Sequence, residues 1–153
     1  MANTFTQMNV QVIFAVYGRE NLLKEKIRSE LFMYMKGILT NLNQYPLAIN
    51  GYKDHVHLFF ELAPTANVSS IVQKVKSNAS RWINGQKWVR GHFSWQEGYG
   101  GFTYSRSQRD NVIKYIMNQP NHHHKKSFRE EYIGFLDAFE IEYDKRYLFE
   151  FYD

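Results

Sequence analysis

Two histidines, one tyrosine and one glutamine carry the chemistry that this sequence could perform. In Asp54-His-Val-His-Leu-Phe-Phe-Glu61 the side chains of an extended strand alternate, so His55, His57, Phe59 and Glu61 share one face and Val56, Leu58, Phe60 and Leu62 the other. The second set is wholly apolar and belongs to a core. Both imidazoles then project from the opposite, open face, where they suit a compact pair of metal ligands or, equally, a polar exposed edge. Further along, Val112, Ile113 and Ile116 form the apolar stripe of a helix opening at Ser107-Gln-Arg-Asp110 and running to about Gln119, with Pro120 just beyond. Asn111, Tyr115, Asn118 and Gln119 fall on its polar side, which stacks Tyr115 and Gln119 one turn apart. Taken alone, Tyr115 is one amphipathic tyrosine among 11, and Gln119 is surface filler.

Together the four residues suit attack of a phenol on a phosphodiester. A tyrosine of pKa near 10 is ionised to only about one part in a thousand at neutral pH, a handicap of roughly 4 kcal/mol. Charge gathers on the non-bridging phosphate oxygens, and a Lewis-acidic metal would stabilise it. Two neutral imidazoles and an amide oxygen leave positions open on Mg²⁺ or Mn²⁺ for the scissile phosphate. Attack would leave a phosphotyrosine that conserves the bond energy, so a strand could be resealed without ATP. Tyr99 and Tyr104 are rival nucleophiles, but they lie in a glycine-broken aromatic strand without a same-face ligand and rank below Tyr115. The run His122-His-His124 reads as a solvated or phosphate-contacting tract, because consecutive side chains at a helix end diverge. Cysteine is absent, which excludes disulfides and thiolate metal sites.

Positioning these residues requires an alternating strand over residues 7–16, with Met8, Val10, Val12, Phe14 and Val16 inward and Gln7, Asn9 and Gln11 outward. Leu23, Ile27, Leu31, Tyr34 and Ile38 recur at helical spacing over residues 21–39. Strands near 46–51 and 55–62 follow, then a helix opened by Asn67 or Ser69, with Ile71, Val72, Val75, Ala79 and Trp82 along one side. Residues 93–104 predict a strand interrupted at Gly98, Gly100 and Gly101, and residues 127–139 a last helix. The order predicts an α+β fold with a ferredoxin-like (RRM-like) split βαβ antiparallel sheet, helices on one face, extra C-terminal helices, and the other face free for work. The 153 residues suit one domain spanning 1–153. No apolar run approaches the roughly 18 residues of a membrane span, and the alternating N-terminus reads as strand rather than leader, which predicts a cytoplasmic protein without a membrane partner.

Charge is uneven. Residues 62–96 contain no acid but hold Lys74, Lys76, Arg81, Lys87 and Arg90 with Trp82, Trp88 and Trp95, whereas residues 130–153 are acidic. A basic middle with interleaved aromatics suits phosphate contacts and base stacking, or a solvated helix face over a Trp-rich core. Lys74, Lys76, Arg81, Arg106 and Arg109 are the candidate contacts to a nucleic-acid backbone.

Asp54-His-Val-His-Leu-Phe-Phe resembles the His-hydrophobic-His (HUH) motif. Lys114-Tyr-Ile-Met-Asn-Gln119, followed by Asn121-His-His, resembles the nucleophile helix of single-tyrosine HUH transposases of small (IS200-like) insertion sequences. Residues 69–84 and 95–105 resemble that family's connecting segments, so the likeness runs from about Phe5 to Phe135. It implies a ferredoxin-like fold, a homodimer with composite active sites, and single-stranded DNA substrates with hairpin ends. It also implies cleavage and rejoining at insertion-sequence ends through a 5′-phosphotyrosine, nucleoid-associated when DNA-bound. By position Tyr115 would be the nucleophile and His55, His57 and Gln119 the ligands of Mg²⁺ or Mn²⁺, with Gly85 and residues 98–101 letting the tyrosine helix move. Two alternatives remain: a catalytically silent nucleic-acid-binding descendant of such a transposase, and a replication or relaxase-type HUH nuclease.

Overall fold

The alternation of residues 7–16 becomes a central strand in the computed structural model, which describes residues 3–89, 91–123 and 125–152. Arg90 of the basic stretch, His124 of the histidine run and Asp153 of the acidic tail lie outside the described residues. Strands β1 (Asn9–Ala15), β2 (Tyr45–Gly51), β3 (His55–Glu61) and β4 (Gly100–Tyr104) form one antiparallel sheet in the order β2-β3-β1-β4. Helix α1 (Glu25–Asn41) links β1 to β2, and α2 (Val68–Gln86) links β3 to β4. This is the expected ferredoxin-like topology.

Both crossover helices lie on one face. Ile27, Leu31, Met35 and Leu39 of α1 and Ile71, Val75, Ala79 and Ile83 of α2 pack on Val10, Val12 and Phe14 of β1 and on Val56, Leu58 and Phe60 of β3. Asn67 caps α2 by accepting a hydrogen bond from the Ser70 amide. The first helix begins at Glu25, because residues 19–21 form a 3-10 turn. Trp95 meets Val16 in a lone bridge, so the ladder of β4 starts only at Gly100.

The second face differs from expectation. Asn9, Gln11, Ile13 and Ala15 point away from the crossover helices, yet β1 is buried along its whole length. Three C-terminal helices cover that face: α3 (Arg109–Met117), the short α4 (Gln119–His122) and α5 (Phe128–Ala138). Val112 and Ile116 of α3 join Ala48 and Phe59 in a separate small core. Phe135 of α5 stacks on Phe102 of β4 at 5.2 Å between ring centroids. The apolar stripe Phe128, Tyr132, Phe135 and Leu136 needs a surface to bury against, and the sheet supplies it. No face of the sheet is left free for work.

Two helix boundaries also moved. The capping box is Ser105 with Gln108, two residues earlier than Ser107 with Asp110, and a 3-10 turn (Arg106–Gln108) leads into α3. At the far end the helix stops at Asn118, so Gln119 opens α4 rather than extending α3. Pro120 accounts for the break: it has no amide hydrogen and its ring crowds the carbonyl one turn back. Gly85 lies inside α2, not at a hinge beside α3.

Candidate active site and metal centre

β3 sets His55 and His57 side by side on the covered face, both completely buried, with ring centroids 5.1 Å apart. Asp54 Oδ1 lies 2.6 Å from His55 Nδ1, and Gln11 Oε1 of β1 lies 2.7 Å from His57 Nδ1. Each ring therefore turns its Nε2 the same way, towards the C-terminal helices. The structure brings Tyr115 and Gln119 there too: Gln119 Oε1 is 2.9 Å from His55 Nε2, and the rings of Tyr115 and His57 are 6.2 Å apart. All four residues nominated from the sequence converge within one chain.

At their centre is a residue that sequence reasoning missed. Glu131, on α5, is 2% exposed. Its Oε1 lies 3.3 Å from His55 Nε2, 3.2 Å from His57 Nε2 and 3.3 Å from His123 Nε2. Its Oε2 accepts hydrogen bonds from the Tyr115 hydroxyl and, at 2.7 Å, from Gln119 Nε2. The available signal was positional: Glu131 interrupts the apolar stripe of α5, one residue before Tyr132 and one turn before Phe135, where a solvated acid has no business. Among the described residues the ionic partners of Glu131 are all histidines.

The histidine run is also not a solvated tract. His122 Nε2 lies 3.2 Å from the Tyr115 hydroxyl, and the side chain of His123, 3% exposed, lies 2.8 Å from Gln119 Oε1. The separate turn of α4 lets these two neighbours both look inward.

Burial and charge set the protonation states. Burial opposes ionisation of Glu131, but His57 and hydrogen bonds from His123, His55 and His57 hold its carboxyl well below the usual carboxylate range. Burial disfavours the His55 cation, yet Asp54 and Glu131 outweigh it and raise the pKa to about 9. Burial keeps His57 neutral by pushing its pKa down. For Tyr115, burial and the Glu131 charge both push the phenol well above its ordinary value. The phenol therefore rests as a neutral donor to Glu131.

Donor atoms of His55, His57 and Glu131 lie within 4.8 Å of one another, a spacing and chemistry that fit a divalent cation. A cleft of about 410 Å³ between α3 and α5 reaches this cluster, lined by Tyr104, Asn111, Tyr115, Lys126, Glu131 and Phe135 among others. Tyr104, the rival nucleophile, lies on the same cleft, but its hydroxyl accepts from Gln11 Nε2 at 2.7 Å and touches no imidazole of the pair.

The "Transposase IS200 like" family description matches residues 4–119 of the chain. The chain belongs to the IS200-like transposase family. No curated protein matches it. Among solved structures, a Deinococcus radiodurans R1 protein described as a transposase aligns with TM-score 0.62 at 21% identity, over 78% of this chain and 95% of its own. The REP-associated tyrosine transposase bound to a REP hairpin aligns with TM-score 0.59 at 14% identity, over 80% of this chain and 73% of its own. These likenesses carry the fold. The family match ends at Gln119, so this transposase draws Glu131 and His123 from outside it.

The basic residues divide into two groups. Lys74, Arg81 and Arg106 are exposed. Lys76 donates to the carbonyls of Gln96 at 2.7 Å and Gly98 at 3.0 Å, and Arg109 pairs with Glu61 at 3.1 Å, so both serve the fold. The tryptophans are packing residues: Trp82 stacks on Tyr34, and Trp95 sets its ring edge-on to Phe14. Among the described residues no helix is long and apolar enough to cross a membrane.

Proposed function

We propose that this transposase cleaves and rejoins single-stranded DNA through a covalent bond between Tyr115 and a 5′-phosphate. One observation carries the reading: the Tyr115 hydroxyl meets the Glu131 carboxylate at the floor of an open cleft, and two buried imidazoles of the same chain lie directly against that carboxylate. His55, His57 and Gln119 would hold the ion, their orientation fixed by Asp54 and Gln11. A divalent ion there would offset Glu131 and stabilise the charge that develops on the scissile phosphate. Glu131 Oε2 fixes the phenol and is the nearest acceptor for its proton. Phe135 and Phe128 wall the cluster and keep water from the phosphotyrosine until a free 3′-hydroxyl returns. The hairpin of the REP-associated relative makes hairpin-ended DNA the substrate to offer first. Lys126 at the cleft, with exposed Arg106, Lys74 and Arg81, supplies the cations for its backbone. Because Tyr115 already lies against its own chain's histidines, cleavage can occur in cis; a composite dimer is not needed to assemble the groups.

The test is a denaturing gel of protein mixed with Mn²⁺ and labelled single-stranded hairpin DNA. Wild type should carry label covalently and Tyr115→Phe should not. An adduct that persists in Tyr115→Phe would falsify the assignment.

A further inference from the structure

Three imidazoles in the cluster have their ring protons committed elsewhere. His55 Nδ1 faces the Asp54 carboxylate, His57 Nδ1 faces Gln11 Oε1, and His123 Nδ1 lies 2.7 Å from the Lys126 carbonyl oxygen. None of these partners has a proton to give, so each ring donates from Nδ1, and in its neutral, ligating form presents the Nε2 lone pair inward. Those three lone pairs meet two further acceptors. Glu131 Oε1 is 3.2–3.3 Å from all three, and Gln119 Oε1 is 2.9 Å from His55 Nε2 and 2.8 Å from His123 Nε2. Five acceptor atoms facing one another repel unless positive charge lies between them. A proton bridges one pair at a time; a cation can meet all five.

The spacing favours the cation. Nitrogen and oxygen ligands bound at about 2.0–2.2 Å and separated by right or tetrahedral angles lie about 2.8–3.6 Å apart. The contacts of Glu131 Oε1 and Gln119 Oε1 with the three Nε2 atoms, 2.8–3.3 Å, have that spacing. We propose that His123 and Glu131 are metal ligands alongside His55, His57 and Gln119, and that this nitrogen-rich set selects a transition-series divalent ion over Mg²⁺. Mg²⁺ prefers oxygen and keeps its waters, whereas imidazole suits the ions from Mn²⁺ to Zn²⁺. The other carboxylate oxygen of Glu131 stays on Tyr115 and Gln119, so one side chain ties ion to nucleophile. This inference rests on the metal-dependent reading of the same site, which needs only His55, His57 and Gln119.

Calorimetric titration of metal-free protein with Mn²⁺ and with Mg²⁺, and electron spin-echo spectroscopy of the Mn²⁺ complex, separate the two. The expected result is Mn²⁺ binding at least about tenfold tighter than Mg²⁺, with three imidazole nitrogens coupled to the ion. His123→Ala should leave two nitrogens and weaken Mn²⁺ binding by roughly 10- to 100-fold or more, and Glu131→Gln should weaken it similarly. Two nitrogens in wild type, or unchanged affinity in both variants while His57→Ala loses the ion, overturns the inference and leaves the metal-dependent reading standing. If wild type binds no Mn²⁺, both fall. The wild-type nitrogen count decides even where a variant does not fold.

Discussion

The two tyrosines of the cleft differ in what each hydroxyl touches. The Tyr115 hydroxyl meets Glu131 and His122, whereas the Tyr104 hydroxyl, on the same cleft, hydrogen-bonds only Gln11 among the described residues. Tyr104→Phe should therefore still form the covalent adduct. It should also alter alkaline stability: burial raises the Tyr104 pKa to about 12 from 10.0, so the folded state favours the neutral phenol. A raised pKa gives a contribution complete below pH 10.0 and lost as pH rises through about 12. Urea unfolding of metal-free protein should show stability falling over that interval, less steeply in Tyr104→Phe. Equal slopes in both proteins would remove burial as the cause. The meeting of His55, His57 and Tyr115 was legible because strand and helix periods dictate which side chains share a face, whereas Gln119 joins them from α4 and not from the predicted single helix. Glu131 and His123 were not legible, since their roles depend on how α4 and α5 fold back, and no local period reports that.

Helix ends explain both what was legible and what was not. The stripes of α1 and α2 recur over several turns and announce themselves, whereas caps are single residues. Ser105-Arg-Ser-Gln108 satisfies the reciprocal rule of hydroxyl and amide that Ser107 with Asp110 does not, because a shorter aspartate reaches back poorly to the cap amide. For α5, Ser127 accepts from the Glu130 amide and Glu130 reaches back to Ser127. That box starts the helix at Phe128 and so fixes the phase that turns Glu131 inward. Ser127→Ala should lower stability by about 1 kcal/mol, seen as an earlier urea midpoint, and should weaken Mn²⁺ binding although it touches no ligand. An unshifted midpoint would mean that α5 is held by its apolar stripe alone.

Across the whole molecule, the expectation of an open sheet face failed for a reason that residues 128–139 already contained: an amphipathic helix with four large apolar side chains has to bury them, and α1 and α2 had filled the other face. Gly100 makes the seat possible. It lies at the start of β4 opposite Ile13, and a Cβ there would come within 2.8 Å of the Tyr132 ring and hydroxyl. Gly101 next to it points the other way, where a Cβ would meet the Tyr99 ring at an ordinary 3.6 Å. Gly100→Ala should thus cost roughly 1–3 kcal/mol as overpacking, and Gly101→Ala far less. Because Tyr132 is the neighbour of Glu131, lifting α5 off β4 should also pull the carboxylate from the histidines and weaken Mn²⁺ binding in parallel. Pairing Gly100→Ala with Tyr132→Leu removes the obstructing ring, and the two losses should then fall short of their sum. Strict additivity in urea unfolding would show that the two positions do not meet and that α5 closes the site in some other pose.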